Sequence, residues 1–448
     1  MFLWPLTRFH ARNPRGHRLD FGPSTAGAAA AQGHRWDIPG FITREQLVSR
    51  APACLVAIGF AQDESDVLTR LLPFGGYNKV IKLYVYSTEK AYVIRTPHRY
   101  TSLEQAKLLR SKQILDNLRL KMPNVPMPPI LFADDQDGPL RAPFAVVPFM
   151  PGIDLDVCLP RLDYAQRLAL TDEMADLYSS IWNITMTAVG PLDFDNDQND
   201  IIVTRDWHYS YKALPDCDIP TPESDPVAVC VFEHMRNRLS LLADIAMPEA
   251  HNARRQLEAV VDELEAQGKW SDHFVLVHGD LEPRNIMIDD ANSRAPKITA
   301  VLDWDLARAL PVECAYTMPS WLWGVSSTPN MHAGQRPFDM YEGEPLEDFA
   351  NLPADANIKF HFLARMTRLV PDFQKAYVEG QRSKARTLIR LVNWDDGNVI
   401  YLDHVRDYVK WWDKHRRSLY ATPGLKKKAS KVALRVGHSI VHTWDKVF

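Results

Sequence analysis

The sequence predicts an α+β fold in two parts, a smaller strand-rich part followed by a larger helical part that carries one β insertion. Three observations predict it. Ile81, Leu83 and Val85 alternate with Lys82, Tyr84 and Tyr86, the period of a half-buried strand. Between Asn252 and Gln267, Ala253, Leu257, Val260, Val261 and Leu264 fall on one helical face, and Gly268 is the stop signal. Two short apolar runs, "FVLVHGD" and "NIMID", then interrupt the helical part.

Taken in order, residues 1–35 begin with "MFLWPLTRFHARNPRGHRL", where Arg8, Arg12, Arg15 and Arg18 precede the first acid, Asp20. This resembles an organelle transit peptide without its usual serines, and a disordered basic tail is the plainer alternative. "GPSTAGAAAAQG" (22–33) is small, uncharged and low in complexity, a flexible lead-in. From 71 to 97 two strands are expected, joined by a turn at "STEK". Thr101 and Glu104 have capping-box spacing and open a helix, which the three prolines of "NVPMPPI" (124–130) stop. "PFAVVPFMPG" (143–152) reads as a buried strand.

The next 120 residues read mainly as helices, with "LPDCDIPTPESDP" (214–226) as a proline-rich acidic loop. "FVLVHGD", "NIMID" and "ITAVLDWD" (298–305) are short strands, and aromatic and charged helices fill 355–420. In the tail, 411–448, Leu425, Ala429, Val432, Val436, Ile440, Trp444 and Val447 recur at three- or four-residue spacing beside Lys426, Lys427, Lys428, Lys431 and Arg435. That pattern predicts a basic amphipathic helix, suited to peripheral contact with an anionic membrane or to packing on the body of the protein.

At 448 residues the chain is too long for one compact core. Its 46% hydrophobic and 24% charged residues are those of a globular protein, and a net charge of −4 gives no electrostatic reason to expect nucleic acid as a partner. Five cysteines without paired spacing argue against a disulfide framework or zinc site and suit a reducing compartment. A cytoplasmic location is expected, with a mitochondrial one as the alternative if residues 1–35 act as a transit peptide. No apolar run approaches the roughly 18 residues of a membrane span. Nothing speaks to oligomeric state.

Asp280, Asn285 and Asp303 carry the chemistry. Each is expected at the end of a short apolar strand, where side chains project into a cleft. Such oxygen ligands suit Mg²⁺, which usually takes one or two protein groups plus substrate phosphates. A further carboxylate nearby can orient a hydroxyl and accept its proton, and phosphoryl transfer needs just these parts.

"HGDLEPRN" (278–285) followed by "LDWD" (302–305) resembles the catalytic and metal loops of the aminoglycoside phosphotransferase family, small-molecule relatives of the protein kinases. The resemblance spans roughly residues 70–325 and is strongest in the second half. It implies a two-lobed protein-kinase-like fold, with a β-rich lobe over 36–147 and a mainly helical lobe over 148–410. It makes Asp280 the catalytic base and Asn285 and Asp303 the metal ligands. His278 becomes a brace for the catalytic loop, and Asp305 receives no role. The implied cofactors are ATP, or another nucleoside triphosphate, and Mg²⁺; the implied partner is a small molecule bearing a hydroxyl.

The nucleotide half departs from the family pattern. "FGGYN" (74–78) takes the place of the phosphate-covering loop, although it is not G-x-G-x-x-G, which makes Gly75, Gly76 and Asn78 candidate contacts. Arg95 stands where a lysine normally meets the α/β-phosphates, and arginine can bind phosphate bidentately. The glutamate that should pair with that cation is hard to place: Glu104 is the only acid early in the helix and its spacing is that of a cap, while Lys112 and Gln113 stand nearer the expected position. The strand 143–152 becomes the hinge, with backbone groups of Pro148 and Met150 as candidate adenine contacts.

Gly279 replaces the arginine of a protein-kinase H-R-D, and no A-P-E follows "LDWD", which argues against a regulated protein kinase. A catalytically silent binding module and a protein-directed kinase are the rival readings. The acceptor, whether amino sugar, choline or another alcohol, is not legible.

Overall fold

The structure is a computed structural model that describes residues 42–72, 78–97, 102–134, 138–204, 230–241, 248–268, 270–290, 293–322, 354–392 and 399–420. The transit-peptide and lead-in segments, Gly75, Gly76, the Thr101–Glu104 cap, the acidic loop 214–226 and the tail beyond 420 lie outside the described residues and side chains.

The smaller lobe opens with α1 (Arg44–Ala57). Thr43 and Gln46 form a reciprocal capping box at its start, with bonds of 2.9 and 3.2 Å. An antiparallel sheet follows in the order β1-β2-β3-β5-β4, from β1 (Val67–Leu71), β2 (Asn78–Val85), β3 (Lys90–Pro97), β4 (Phe132–Asp134) and β5 (Phe144–Pro148). The two expected strands are thus β2 and β3, paired from Asn78↔Pro97 to Val85↔Lys90.

Register decides what each face of this sheet does. Ile81, Leu83, Ile94, Phe144 and Val146 share one face and bury against Leu47, Ala51 and Leu55 of α1, forming the small core. Val80, Val93, Arg95, Ala145 and Val147 share the other, which looks towards the larger lobe.

Helix α2 (Ser102–Lys121) lies between β3 and β4 in sequence, but its Leu108, Ile114, Leu115 and Leu118 join the larger core. The larger lobe continues through β6 (Ile153–Asp154), α3 (Leu155–Cys158) and α4 (Tyr164–Trp182). Next come β7 (Thr185–Met186), β8 (Gly190–Asp195), β9 (Asp200–Val203), α5 (Val231–Leu241) and α6 (Pro248–Ala266). On α6 the five expected residues, Ala253, Leu257, Val260, Val261 and Leu264, are all buried. Gly268 follows in the left-handed region at φ +55°, its N–H bonded to the Glu265 carbonyl.

Within this stretch, expected to be mainly helical, the β8–β9 hairpin is an element the sequence pattern did not announce. Leu192 and Phe194 alternate with Asp193 and Asp195, but the run is short and dense in acids, so its strand period was masked. It gains its place by pairing with a strand more than one hundred residues later, which no local pattern announces.

The site-bearing strands are β10 (Phe274–Val277), β11 (Ile286–Ile288), β12 (Ile298–Val301) and β13 (Arg308–Pro311). They fall in two sheets, β7-β10-β13-β8-β9 and β12-β11-β6. Helices α7 (Val312–Ala315), α8 (Ala354–Leu369), α9 (Phe373–Ser383), α10 (Ala385–Val392) and α11 (Val399–Tyr420) complete the lobe. Ile358, Phe362 and Met366 of α8 are fully buried in the larger core, which also includes α4. This core gives the loops after β10 and β12 a fixed base.

Candidate active site

Strand β10 is buried along its whole length and delivers His278, Gly279 and Asp280 to the cleft. Gly279 has φ +84°, and a Cβ placed there would lie 2.1 Å from the Leu306 carbonyl oxygen. Only glycine lets this loop rest on the segment after β12. His278 is buried. Its Nε2–H donates to the Leu302 carbonyl at 2.9 Å, and its Nδ1 accepts from the Asp280 N–H at 3.2 Å. Those bonds together require the neutral ring, and burial pushes its pKa down to about 4. The imidazole ties the two loops together.

Asn285 closes the same loop. Its Nδ2 donates to the Asp280 carbonyl at 2.7 Å and to the Asp280 carboxylate at 3.0 Å, and its own carbonyl accepts from the Leu302 N–H at 2.8 Å. The five-residue interval therefore folds the amide back onto the aspartate. The sequence expectation is corrected in one detail: Asn285 stands in the 3-10 turn before β11, not at the end of a strand. Its backbone must meet Leu302 at the exit of β12, which fixes it at the start of the strand.

Asp303 adopts φ 61° and ψ 63°, a left-handed conformation uncommon for a residue with a side chain. Burial, reinforced by the charge of Asp305, pushes its carboxyl up to about 6, while Arg95 opposes the shift. Asp280 and Arg284 act on it too, so all of these charges converge at one place.

Two members of this cluster were not singled out as functional from the sequence. Arg284 spans both oxygens of Asp280, at 2.6 and 2.9 Å. Its place inside the octapeptide 278–285 was the available signal. Asp305 receives a two-pronged contact from Arg95, Nη1 and Nη2 donating at 2.9 and 3.0 Å. This pair crosses between the lobes, and no local pattern could have found it.

On the sheet side, Asn78 begins β2 opposite Pro97, while Gly75 and Gly76 lie outside the described residues. Val80, Val93 and Val147 share the cleft face with Arg95 and form an apolar wall. At the hinge, Phe149 spends its N–H on the Ala91 carbonyl at 2.9 Å, and prolines 148 and 151 have none to give. The alternation of the ladder turns the Pro148 carbonyl away from β3.

Among the described residues no group of three or more His, Cys, Asp or Glu side chains could hold a metal ion by itself. The residues present nevertheless fit Mg²⁺. With its Nδ2 occupied by Asp280, the Oδ1 of Asn285 accepts no hydrogen bond among the described residues. The buried Asp303 carboxyl carries an uncompensated cost of ionisation that a cation would relieve. One amide oxygen and one carboxylate are the small, hard donor set that Mg²⁺ takes when phosphates complete its shell.

A two-lobed protein-kinase-like fold with these paired loops is the architecture of a class, the phosphotransferases. The chain belongs to the Phosphotransferase enzyme family (APH), whose match covers residues 75–335, more than half its length. Among solved structures it is similar to an ethanolamine kinase of Plasmodium vivax, at 12% identity and TM-score 0.44, covering 88% of this chain and 95% of that one. It is also similar to a choline kinase of Cryptosporidium parvum, at 11% identity and TM-score 0.38, covering 80% and 91%. A third is the streptomycin–ATP–APH(2")-IIa ternary complex, at 11% identity and TM-score 0.35, covering 75% and 90%. No curated protein matches the chain.

Proposed function

We propose that the protein transfers the γ-phosphoryl group of ATP, in the presence of Mg²⁺, to a hydroxyl group of a small molecule. The observation that carries this reading is the lashing of the Asp280 loop to the Asp303 loop through His278, Asn285 and Leu302. It holds a proton acceptor and two oxygen ligands in one fixed arrangement, and positioning of this kind supplies most of the catalysis in phosphoryl transfer.

Asp280 accepts the proton of the attacking hydroxyl. A carboxylate offers about four lone-pair sites. Arg284 and Asn285 use three of them here, so the acceptor hydroxyl takes the fourth. Asn285 Oδ1 and Asp303 hold the metal, which neutralises charge on the β- and γ-phosphates. Arg95, with Gly75, Gly76 and Asn78, binds phosphate. Val80 and Val93 cover the base, whose edge meets the Pro148 carbonyl and the Met150 N–H.

The test is thermal-shift titration with ATP, with and without Mg²⁺, followed by transfer from γ-labelled ATP to amino sugars, amino alcohols and simple polyols. A Mg²⁺-dependent ATP shift, lost in Asp303→Ala, is expected together with labelling of a small molecule. An ATP shift indifferent to EDTA and to Asp303→Ala would overturn the metal assignment. Binding without transfer or ATP hydrolysis across the panel would make this a silent module.

A further inference from the structure

We infer that Asp305, reaching Arg95 from the larger lobe, is its positioning residue. The inference rests on the phosphotransferase reading above and deepens it.

From Leu108 onward, the described side chains of helix α2 are committed elsewhere. One face of it is buried in the larger core through Ile114, Leu115 and Leu118. Another is spent on the β8–β9 hairpin: Arg110 bonds Asp193 at 3.0 Å, Gln113 bonds Asn196 at 2.8 Å, and Lys121 pairs with Asp200 at 2.9 Å. These contacts recur every third to eighth residue, so the helix is strapped to the hairpin from Arg110 to Lys121. Its acid in this span, Asp116, pairs with Lys112 and Arg119 of the same helix. Gln113, near the position expected of a glutamate, is committed to the hairpin.

Asp305 holds Arg95 with favourable geometry. Both its oxygens accept from Arg95 in a parallel fork, and the two side chains are 16% and 29% exposed, so solvent screens the pair only in part. A guanidinium carries five N–H donors, and the fork uses two, which fixes the plane of the group and the direction of the rest. Asp305 sits two residues beyond Asp303, in the turn Trp304–Leu306. The cation that meets phosphate and the carboxylate that meets metal are therefore set from one turn. A lysine would not serve equally, because a point charge has no plane to fix.

The physical alternatives make opposite predictions. As a mere neighbouring charge, Asp305 repels phosphate, and its removal tightens ATP. As a metal ligand, its removal weakens Mg·ATP whether or not Arg95 is present. As a positioning residue, its removal weakens Mg·ATP only while Arg95 is there.

The experiment is a double-mutant cycle on the full chain, with affinities for Mg·ATP and adenosine measured for wild type, Arg95→Ala, Asp305→Asn and the double variant. Arg95→Ala is expected to weaken Mg·ATP about ten- to over a hundredfold, the loss of a charge-assisted bond, and to leave adenosine unchanged. Asp305→Asn should weaken Mg·ATP about tenfold on the same grounds, also sparing adenosine, and add nothing in the Arg95→Ala background. Asp305→Glu should recover part of the loss, which a variant damaged only in folding would not, and retained adenosine binding reports an intact cleft. Tighter Mg·ATP binding in Asp305→Asn, or a loss that persists without Arg95, overturns the inference alone. A wild-type protein that binds no Mg·ATP overturns the phosphotransferase reading and this inference with it.

Discussion

The two walls of the cleft are built by different means. On the wall formed by the larger lobe, Asp280, Asn285 and Asp303 are braced by backbone and by a buried imidazole, all within residues 278–306. On the sheet wall, Arg95 is oriented by Asp305, 210 positions away, across the gap between the lobes. The first wall is set once its strands are buried. The second acquires its geometry only when the lobes meet. The residues proposed for catalysis are thus on the self-sufficient wall, while the cation proposed to bind phosphate is held by a contact between the lobes.

The largest effect should come from the self-sufficient wall. Asp280→Asn keeps the shape of the loop and removes the base, so turnover should fall 10²–10⁴-fold, about 3–5 kcal/mol of barrier. Melting temperature and Mg·ATP affinity should stay near wild type. Measuring all three on the same two proteins separates the outcomes: joint loss of melting temperature and binding would mean a folding role, and undiminished turnover would sink the mechanism.

Two glycines sharpen the contrast next. Gly279→Ala forces a Cβ to within 2.1 Å of the Leu306 carbonyl at φ +84°, and about 2–5 kcal/mol of stability should be lost from strain and overlap together. Gly59, beyond α1 in the smaller lobe, has φ +77° but nothing within 4 Å of an added Cβ. Gly59→Ala should lose only the backbone term, about 1–2 kcal/mol. Equal losses in urea melts would show that the close approach of the two loops contributes nothing.

A third prediction uses pH. Because burial holds His278 neutral, its native pKa of about 4 lies below the ordinary 6.5. Between those values the unfolded chain binds the extra proton, so stability must fall as pH is lowered through that window. The full effect is roughly 3 kcal/mol, present above pH 6.5 and lost towards pH 4. Urea melts at pH 7.5 and 4.5 should show this component in wild type and its absence in His278→Gln. An identical pH dependence in the variant would assign the loss to other groups.

How much could be read in advance follows from the same division. Asp280, Asn285 and His278 lie within one octapeptide and Asp303 follows closely, so this wall of the site was visible as a motif, whereas the contact of Gly279 with Leu306 was not. The strands around Ile81 and Ile94 and the buried stripe on α6 were visible because period two and period 3.6 are local properties. The β8–β9 hairpin was not visible, because its strands are short and acidic and owe their place to β13.

By itself, then, the sequence determined the α+β class, the periodic elements and the two loops that hold the candidate site residues, since each is encoded by spacing within a few turns of chain. Tertiary structure alone decided that α2 packs into the larger core and straps the hairpin, and that Arg95 finds its acid in Asp305. Both depend on which surfaces meet when the lobes pack. Burial favours any apolar face that fits, and a guanidinium accepts any well-placed carboxylate, so neither choice leaves a mark on neighbouring residues.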